Sequence, residues 1–466
     1  MSATYDFDLL CLGSGPAGQR AAVQAAKLGY RTAIVEKGRI VGGVCVDTDT
    51  IPSKTFREAV LGVTRAAHSS LPGGRPMQAP RPTIEQLLSR VADVTRRECD
   101  VICQQLERND VTVIWGRAAF QDPHTVVVEL DNSHHTVTAD RILVAVGTQP
   151  AAPPGAAPDG EVVLTSDDIL NMKALPRTLA VVGAGVIGLE YASMFSELGV
   201  NVTLVEKRDR FLEFLDHEIV EELMHQMRKR GVIFRLGETV GRLDVTDGPP
   251  RRAVLLLESG KRIVSDAVVF SAGRVGATAP LNLAAAGLEA DERGRLRVDE
   301  TFRTSAPHIF AAGDVIGHPS LAATSSEQGR LAACHAFGLP AGRMAQHVPI
   351  GIYAIPEISM VGRTEHDLTR EKVPYESGVA RYREIARGQI LGDDSGFFKM
   401  LFHRDGRELL GVHTIGSGAT ELIHIGQAVL GLGGGLDYFL QTVFNYPTLA
   451  ECYKVAALDA ANKLAR

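Results

Sequence analysis

Two short glycine runs have the spacing needed to handle phosphates. GSGPAG supplies Gly13, Gly15 and Gly18 between the apolar run DFDLLCL and the small-residue stretch GQRAAVQAAKLG. GAGVIG supplies Gly183, Gly185 and Gly188 after RTLAVV. A missing side chain permits a tight turn at the first position. At the second it lets the backbone approach a pyrophosphate, and at the third it lets a helix close on a strand. The helix N-terminus then attracts the phosphate charge. Glu36 and Glu206 each follow the first glycine of their run by 23 residues, where a carboxylate can accept hydrogen bonds from an adenosine ribose. One such run is common in strand-to-helix turns. Two complete copies at one spacing point to two dinucleotide-type folds.

The second carboxylate carries a further signal, because VEKRDR places Lys207, Arg208 and Arg210 directly after it. A bare carboxylate favours the free ribose hydroxyl of NAD, while arginine accommodates the phosphate of NADP. This segment offers both, although a solvated charge run at a strand end would read the same. A third stretch, GGVCVDTDTIPSK, runs from Gly42 to Lys54 and holds one thiol, Cys45, with the hydroxyl of Thr50 five residues on. Thiol-disulfide exchange needs two sulfurs, so this loop cannot carry it alone. A lone cysteine among glycines is either a redox-sensitive thiol or a packing residue.

The elements that must position these residues follow from the pattern. RTAIVEK completes a strand, glycine turn, helix, strand unit, and LGVNVTLVEK completes the second copy. Between the copies, TIEQLLSRVADVTRRECDVICQQLERND has helical periodicity, and VTVIWGRAAF, HTVVVELD and DRILVAVG read as strands. HSSLPGGRPMQAPRP reads as a surface loop and QPAAPPGAAPDG as a linker. From about His347 short strands (GIYAIPEISMVG, FFKMLFHRDGRELLGVHTIG) precede helices starting near Ala419 and Thr448, where Thr448 to Glu451 spells a capping box.

A length of 466 residues calls for several cores. Lys plus Arg number 49 against 55 for Asp plus Glu, a net charge of -6, so neither nucleic acid nor an anionic membrane is expected as partner. No apolar run has the length to span a bilayer. The start MSATYDFDLL shows no secretion signal, and six dispersed cysteines suit a reducing compartment, so a cytoplasmic protein is expected. Cys99 and Cys103 share a helix face without further ligands nearby, and no metal site is expected.

HIFAAGDVIG, with Gly313 and Asp314, ILVAVGTQP, with Gly147, and VVFSAGRVG, with Gly273, complete a resemblance to the flavoprotein disulfide reductases. IPEISMVG and FNYPTLAE extend it through the tail. The resemblance implies an α/β protein with two Rossmann-like dinucleotide-binding domains, for FAD and NAD(P), and a C-terminal α+β dimerisation domain. The FAD domain would take residues 1–150 and 276–346, the NAD(P) domain 151–275, and the interface domain 347–466. It implies that Asp314 holds the ribitol and phosphate region of FAD. Lys54 would sit beside the flavin N5 atom, paired with Glu190, and the helix LAATSSEQGRLAACHAF would face the pyrimidine end of the flavin. Val186 would leave the nicotinamide position open.

Two departures from that family fix the expected activity. Its members carry a second cysteine where Thr50 stands, and a histidine where Tyr446 stands before Pro447. With Glu451 left nothing to orient, helix capping is its expected role. The combination is most similar to the soluble pyridine nucleotide transhydrogenases of the family. This implies reversible, ping-pong hydride transfer between NADPH and NAD+ through FAD, in a homodimer or larger homo-oligomer. The alternatives are a diaphorase or quinone reductase and a non-catalytic flavin- or nucleotide-sensing scaffold; a lipoamide dehydrogenase is disfavoured.

Overall fold

The computed structural model describes residues 5–68, 82–131, 133–153, 155 and 157–465. Most of the expected surface loop lies outside the described residues, as do two positions of the expected linker.

The apolar run at the start forms the strand Phe7–Leu12, whose last four residues are buried. It pairs in parallel with Thr32–Glu36 on one side and with Ser133–Val144 on the other. Thr112–Trp115 and Ile309–Ala311 add a parallel strand at each end. A parallel sheet is covered on both faces, which is why these strands read as continuous apolar runs rather than as alternation. Separate clusters form the two faces, one around Leu9, Cys11 and Leu143, the other around Leu10, Leu12 and Ile142. Beyond the parallel part, Ser133–Val144 continues into an antiparallel meander with Thr125–Leu130 and Arg117–Asp122.

The second glycine run repeats this architecture. Ile233–Leu236, Asn201–Glu206, Thr178–Val182, Ala267–Phe270 and Val163–Thr165 form a parallel five-stranded sheet in that order. A three-stranded meander, Val240–Val245, Ala253–Leu257 and Arg262–Ser265, again lies beside it. The chain passes between the two sheets through a small antiparallel ribbon, in which Thr148–Pro150 pairs with Arg274–Gly276. Part of the expected linker is therefore a strand: Arg274 donates from Nε to Thr148 Oγ1 at 2.9 Å and from Nη2 to the Thr148 carbonyl at 3.1 Å.

The remaining sheet is antiparallel and five-stranded, in the order Ile350–Ile352, Ile358–Gly362, Leu409–Ile415, Phe397–His403, Tyr375–Arg381. The helices Ala419–Gly431 and Glu451–Leu464 cover it around Tyr382, Tyr453 and Phe398. The second of them starts three residues later than expected. Thr448 Oγ1 donates to the Asn445 carbonyl at 2.7 Å and Ala450 is the N-cap, with no side-chain cap. The capping box is thus not formed: the Glu451 N–H that would have bonded the threonine hydroxyl goes to the Thr448 carbonyl instead, at 3.4 Å. Helix Ile84–Glu107 does carry such a box, Thr83 and Gln86 bonding each other's backbone N–H reciprocally. Among the described residues no helix is long and apolar enough to cross a membrane.

Candidate functional site

Both glycine turns are built the same way. Gly13 and Gly183 have φ of +107° and +102°, the region that favours glycine. A Cβ on Gly18 would lie 1.9 Å from the Gly13 carbonyl oxygen, and one on Gly188 2.0 Å from that of Gly183. Those contacts bring each helix down onto its strand. A Cβ on Gly15 or Gly185 would meet no atom within 4 Å. The open space lies at the helix N-terminus, where free N–H groups suit a pyrophosphate.

The two acidic partners are both buried and differ in company. Glu36 Oε2 accepts from Ser14 N at 3.0 Å and Ser14 Oγ at 2.5 Å, and its Oε1 accepts from Gly38 N at 2.6 Å. Glu206 Oε2 accepts from Ala184 N at 2.8 Å, and its Oε1 from Arg208 N at 3.0 Å. The Arg208 guanidinium also grips Glu206, with Nε at 2.9 Å and Nη2 at 3.2 Å. Burial alone would raise the Glu206 pKa, but this pairing and the backbone donors hold it below the usual range. Lys207 is exposed and makes no ion pair with a described residue.

A cleft of about 440 Å³, a size typical of ligand sites, opens along the first turn. Gly13, Gly15, Glu36, Gly147, Gly313 and Asp314 line it. The opposite wall brings in Cys45, Thr50, Lys54, Glu190 and, from the C-terminal sheet, Tyr353. Lys54 Nζ donates to Glu190 Oε2 at 2.8 Å, while the other oxygen of Glu190 accepts from Tyr353 N at 2.8 Å. With a side chain only 2% exposed, Glu190 is a buried charge with both oxygens satisfied. Lys54 also lies 5.2 Å from the centroid of the Tyr353 ring. Helix Val186–Glu197 carries Glu190 one turn beyond Val186, which lines the cleft as well. The second glycine turn therefore points its own helix into the first site.

The loop with one thiol faces the same space. Burial pushes the Cys45 thiol up, outweighing a hydrogen bond with Thr50 that pulls it down. A protonated thiol is a poor nucleophile. Leu321 and Ala322, at the start of helix Ala322–Ala336, line the cleft beside Asp314, whose pKa burial raises. Glu451 Oε2, at the far end of the chain, is buried and bonds no described residue.

The open glycine turn, the satisfied Glu36, the Asp314 side chain and the paired Lys54 fit a cofactor with a pyrophosphate, a ribose and an extended ring, as FAD has. The second turn, with Glu206, Lys207, Arg208 and Gly273, fits a second dinucleotide; Gly273, at φ +125°, has no neighbour within 4 Å of a Cβ position. Sequence reading missed Ser14, Asp49, Arg274 and Tyr353. Ser14 and Arg274 lay inside recognised motifs. Tyr353 gave no signal, because its backbone N–H makes the contact.

Known proteins share both halves of this arrangement. The profile described as "Pyridine nucleotide-disulphide oxidoreductase" matches residues 7–329, and that of the same family's dimerisation domain matches residues 348–457. A protein of Mycobacterium bovis named soluble pyridine nucleotide transhydrogenase is 53% identical over 462 residues, covering 98% of each chain. One of the same name from Photobacterium profundum is 43% identical over 463 residues, again covering 98% of each. Among solved structures, LpdA from Mycobacterium tuberculosis superposes with a TM-score of 0.88 at 29% identity, over 97% of this chain and 98% of that one. The HOCl-induced flavoprotein disulfide reductase RclA from Escherichia coli gives 0.87 at 25% identity, over 97% and 99%. The duplicated glycine turns, the cleft and these matches agree, and the chain belongs to the pyridine nucleotide-disulphide oxidoreductases, flavoenzymes that bind FAD and use NAD(P)H.

Proposed function

We propose that the protein transfers hydride reversibly between NADPH and NAD+, with FAD as the intermediate carrier and no redox-active disulfide. When bound, FAD supplies a two-electron acceptor that exchanges hydride with nicotinamides. The observation that carries this reading is the Lys54–Glu190 pair, which lines the cleft together with a loop that holds a single thiol, its pKa raised by burial. Lys54 gives a fixed positive charge where negative charge arrives, and a fixed charge away from water stabilises it strongly. Glu190, itself held by the Tyr353 N–H, sets where that ammonium points. Thr50 beside Cys45 leaves no second sulfur to draw electrons away. Gly13, Gly15, Gly18, Glu36, Gly147, Gly313 and Asp314 are assigned to FAD, and Gly183, Gly185, Gly188, Glu206, Lys207, Arg208 and Gly273 to the nicotinamide nucleotide.

One nucleotide site serving NADPH and NAD+ in turn gives ping-pong kinetics. The relatives named as transhydrogenases support this assignment. We assign the chain segments 1–150 with 276–346, 151–275 and 347–466 to the FAD, nucleotide and interface domains. A cytoplasmic homodimer or larger homo-oligomer is the working form, a reading supported by the dimerisation profile and the six dispersed cysteines. The deciding assay mixes NADPH with the thionicotinamide analogue of NAD+ and no other acceptor. Turnover with parallel double-reciprocal lines, lost when Lys54 and Glu190 are both replaced, is the expected result. Brisk reduction of added quinone with no reduced analogue would instead identify a diaphorase.

A further inference from the structure

Asp49 occupies the turn between the short helix Val44–Asp47 and the helix Thr50–His68. Its carbonyl accepts from Ser53 N at 2.9 Å, so it is the residue that opens the second helix. An aspartate in that place ordinarily turns its carboxylate onto the first free N–H groups of its own helix. This one does not. It makes no hydrogen bond to a described residue, and its side chain lines the cleft with Thr50, Lys54, Glu190 and Arg274.

A carboxyl without a donor among the described residues, with two cations and two other carboxylates near it, is pulled in both directions. Burial pushes it towards the acid. Lys54 and Arg274 pull the other way, Glu190 and Asp167 add to the push, and the balance lies above the usual aspartate range. Its charge is also felt by Cys45 and by the buried hydroxyl of Tyr191, which bonds no described residue. Each further negative charge in this space shifts the balance towards the protonated form.

We propose that Asp49 is a positioning residue of the hydride site, taking up a proton from solvent when negative charge arrives in the cleft and releasing it when that charge leaves. In the first half-reaction NADPH would pass its hydride to the FAD assigned to the cleft and leave as NADP+, and the Asp49 carboxylate would take one proton from water to become a carboxylic acid. In the second, NAD+ gains the hydride and the carboxyl returns its proton to water. The whole exchange consumes no proton, while each half-reaction depends on pH. This rests on the assignment of FAD to the cleft and holds whichever acceptor is used.

The test measures the midpoint potential of the bound flavin against pH in the purified holoprotein, without nucleotide, for the native chain and for Asp49→Asn. The native curve is expected to contain a segment that falls more steeply with pH, bounded by the carboxyl's pKa in the two redox states. Asp49→Asn is expected to lose that segment and Cys45→Ala to keep it, which separates the carboxyl from the thiol. Superimposable curves for native and Asp49→Asn would overturn the proposal, as would loss of the segment in Cys45→Ala alone. A second readout needs no variant: the reduced-minus-oxidised infrared difference spectrum of the native protein gains a carboxylic-acid carbonyl band. Its absence overturns the proposal. A protein that holds no FAD overturns the cofactor assignment and this inference together, and that is seen before any titration.

Discussion

On the proposed assignment, the Glu206–Arg208 pair would serve two ligands. In the free protein the guanidinium neutralises a buried carboxylate, so neither group is left uncompensated. On that assignment a ribose with free hydroxyls would compete with Arg208 for Glu206, whereas a 2′-phosphate would draw Arg208, whose side chain is 47% exposed, outward. Replacing Arg208 by Ala should raise the KM for NADPH by about 10- to 100-fold, the value of one hydrogen bond to a charged group. The KM for NADH should stay unchanged or fall, because Glu206 is freed. Steady-state kinetics with each nucleotide checks this, and an equal loss for both would remove Arg208 from phosphate recognition. Pairing also holds Glu206 ionised below the ordinary carboxylate range, so nucleotide preference should vary little with pH from mildly acid conditions upward.

At the scale of elements, the two glycine turns separate folding from binding. A side chain at Gly188 collides with the Gly183 carbonyl, whereas one at Gly185 projects into open space. Gly185→Val should therefore keep the melting temperature and the bound FAD yet block reduction by either nucleotide, since the pyrophosphate and the new side chain need the same room. Gly188→Val should lower stability by about 1–3 kcal/mol or more, as overpacking at a rigid contact does. Denaturant unfolding of both variants, with the flavin absorbance followed, distinguishes the two effects. Equal loss of stability in both would show that Gly185 also packs.

Across the whole molecule, a buried charge cluster ties the nucleotide sheet to the C-terminal sheet. Lys399, 1% exposed, bonds Asp216 at 3.1 Å, Glu218 at 2.7 Å and Glu365 at 2.7 Å. Asp216 caps the helix His217–Lys229 that follows the VEKRDR loop. Burial works against both charges, yet His413 and then Lys399 hold Asp216 below its usual range, while the surrounding carboxylates hold Lys399 above its own. The Asp216 contribution is present above the ordinary aspartate pKa and lost as pH falls through its depressed value. That of Lys399 is present below the ordinary lysine pKa and lost as pH rises through its raised value. Lys399→Met should cost about 3–5 kcal/mol, the usual result of leaving a buried charge unpaired. Melting temperatures against pH check both the loss and its window. The C-terminal module also leaves Leu432, Val443 and Tyr446 exposed by 87%, 93% and 69%. Val443→Asp should shift sedimentation from dimer to monomer if this face is the subunit contact, and an unchanged dimer would place the contact elsewhere.

Local chemistry made much of this legible beforehand. Glycine spacing announces itself, because the need for a tight turn and a bare helix N-terminus excludes other residues at Gly13 and Gly183 whatever surrounds them. The same holds for the missing sulfur at Thr50, since disulfide chemistry cannot proceed without it. Spacing along the chain cannot report how distant segments meet. The pairing of Lys54 with Glu190, 136 residues apart, reached sequence reading only through resemblance. Its support by the Tyr353 backbone depended on how the C-terminal sheet packs. The capping box at Thr448 failed at short range: the Glu451 N–H bonds the Thr448 carbonyl rather than its hydroxyl. The Asp49 carboxyl was equally hidden, because only the tertiary fold brings Arg274 and Glu190 into the same cleft with it. Sequence determined which turns have the glycine spacing suited to phosphates and that the loop holds a single thiol; tertiary structure decided which charges share a cleft, because electrostatic partnership depends on distance in space.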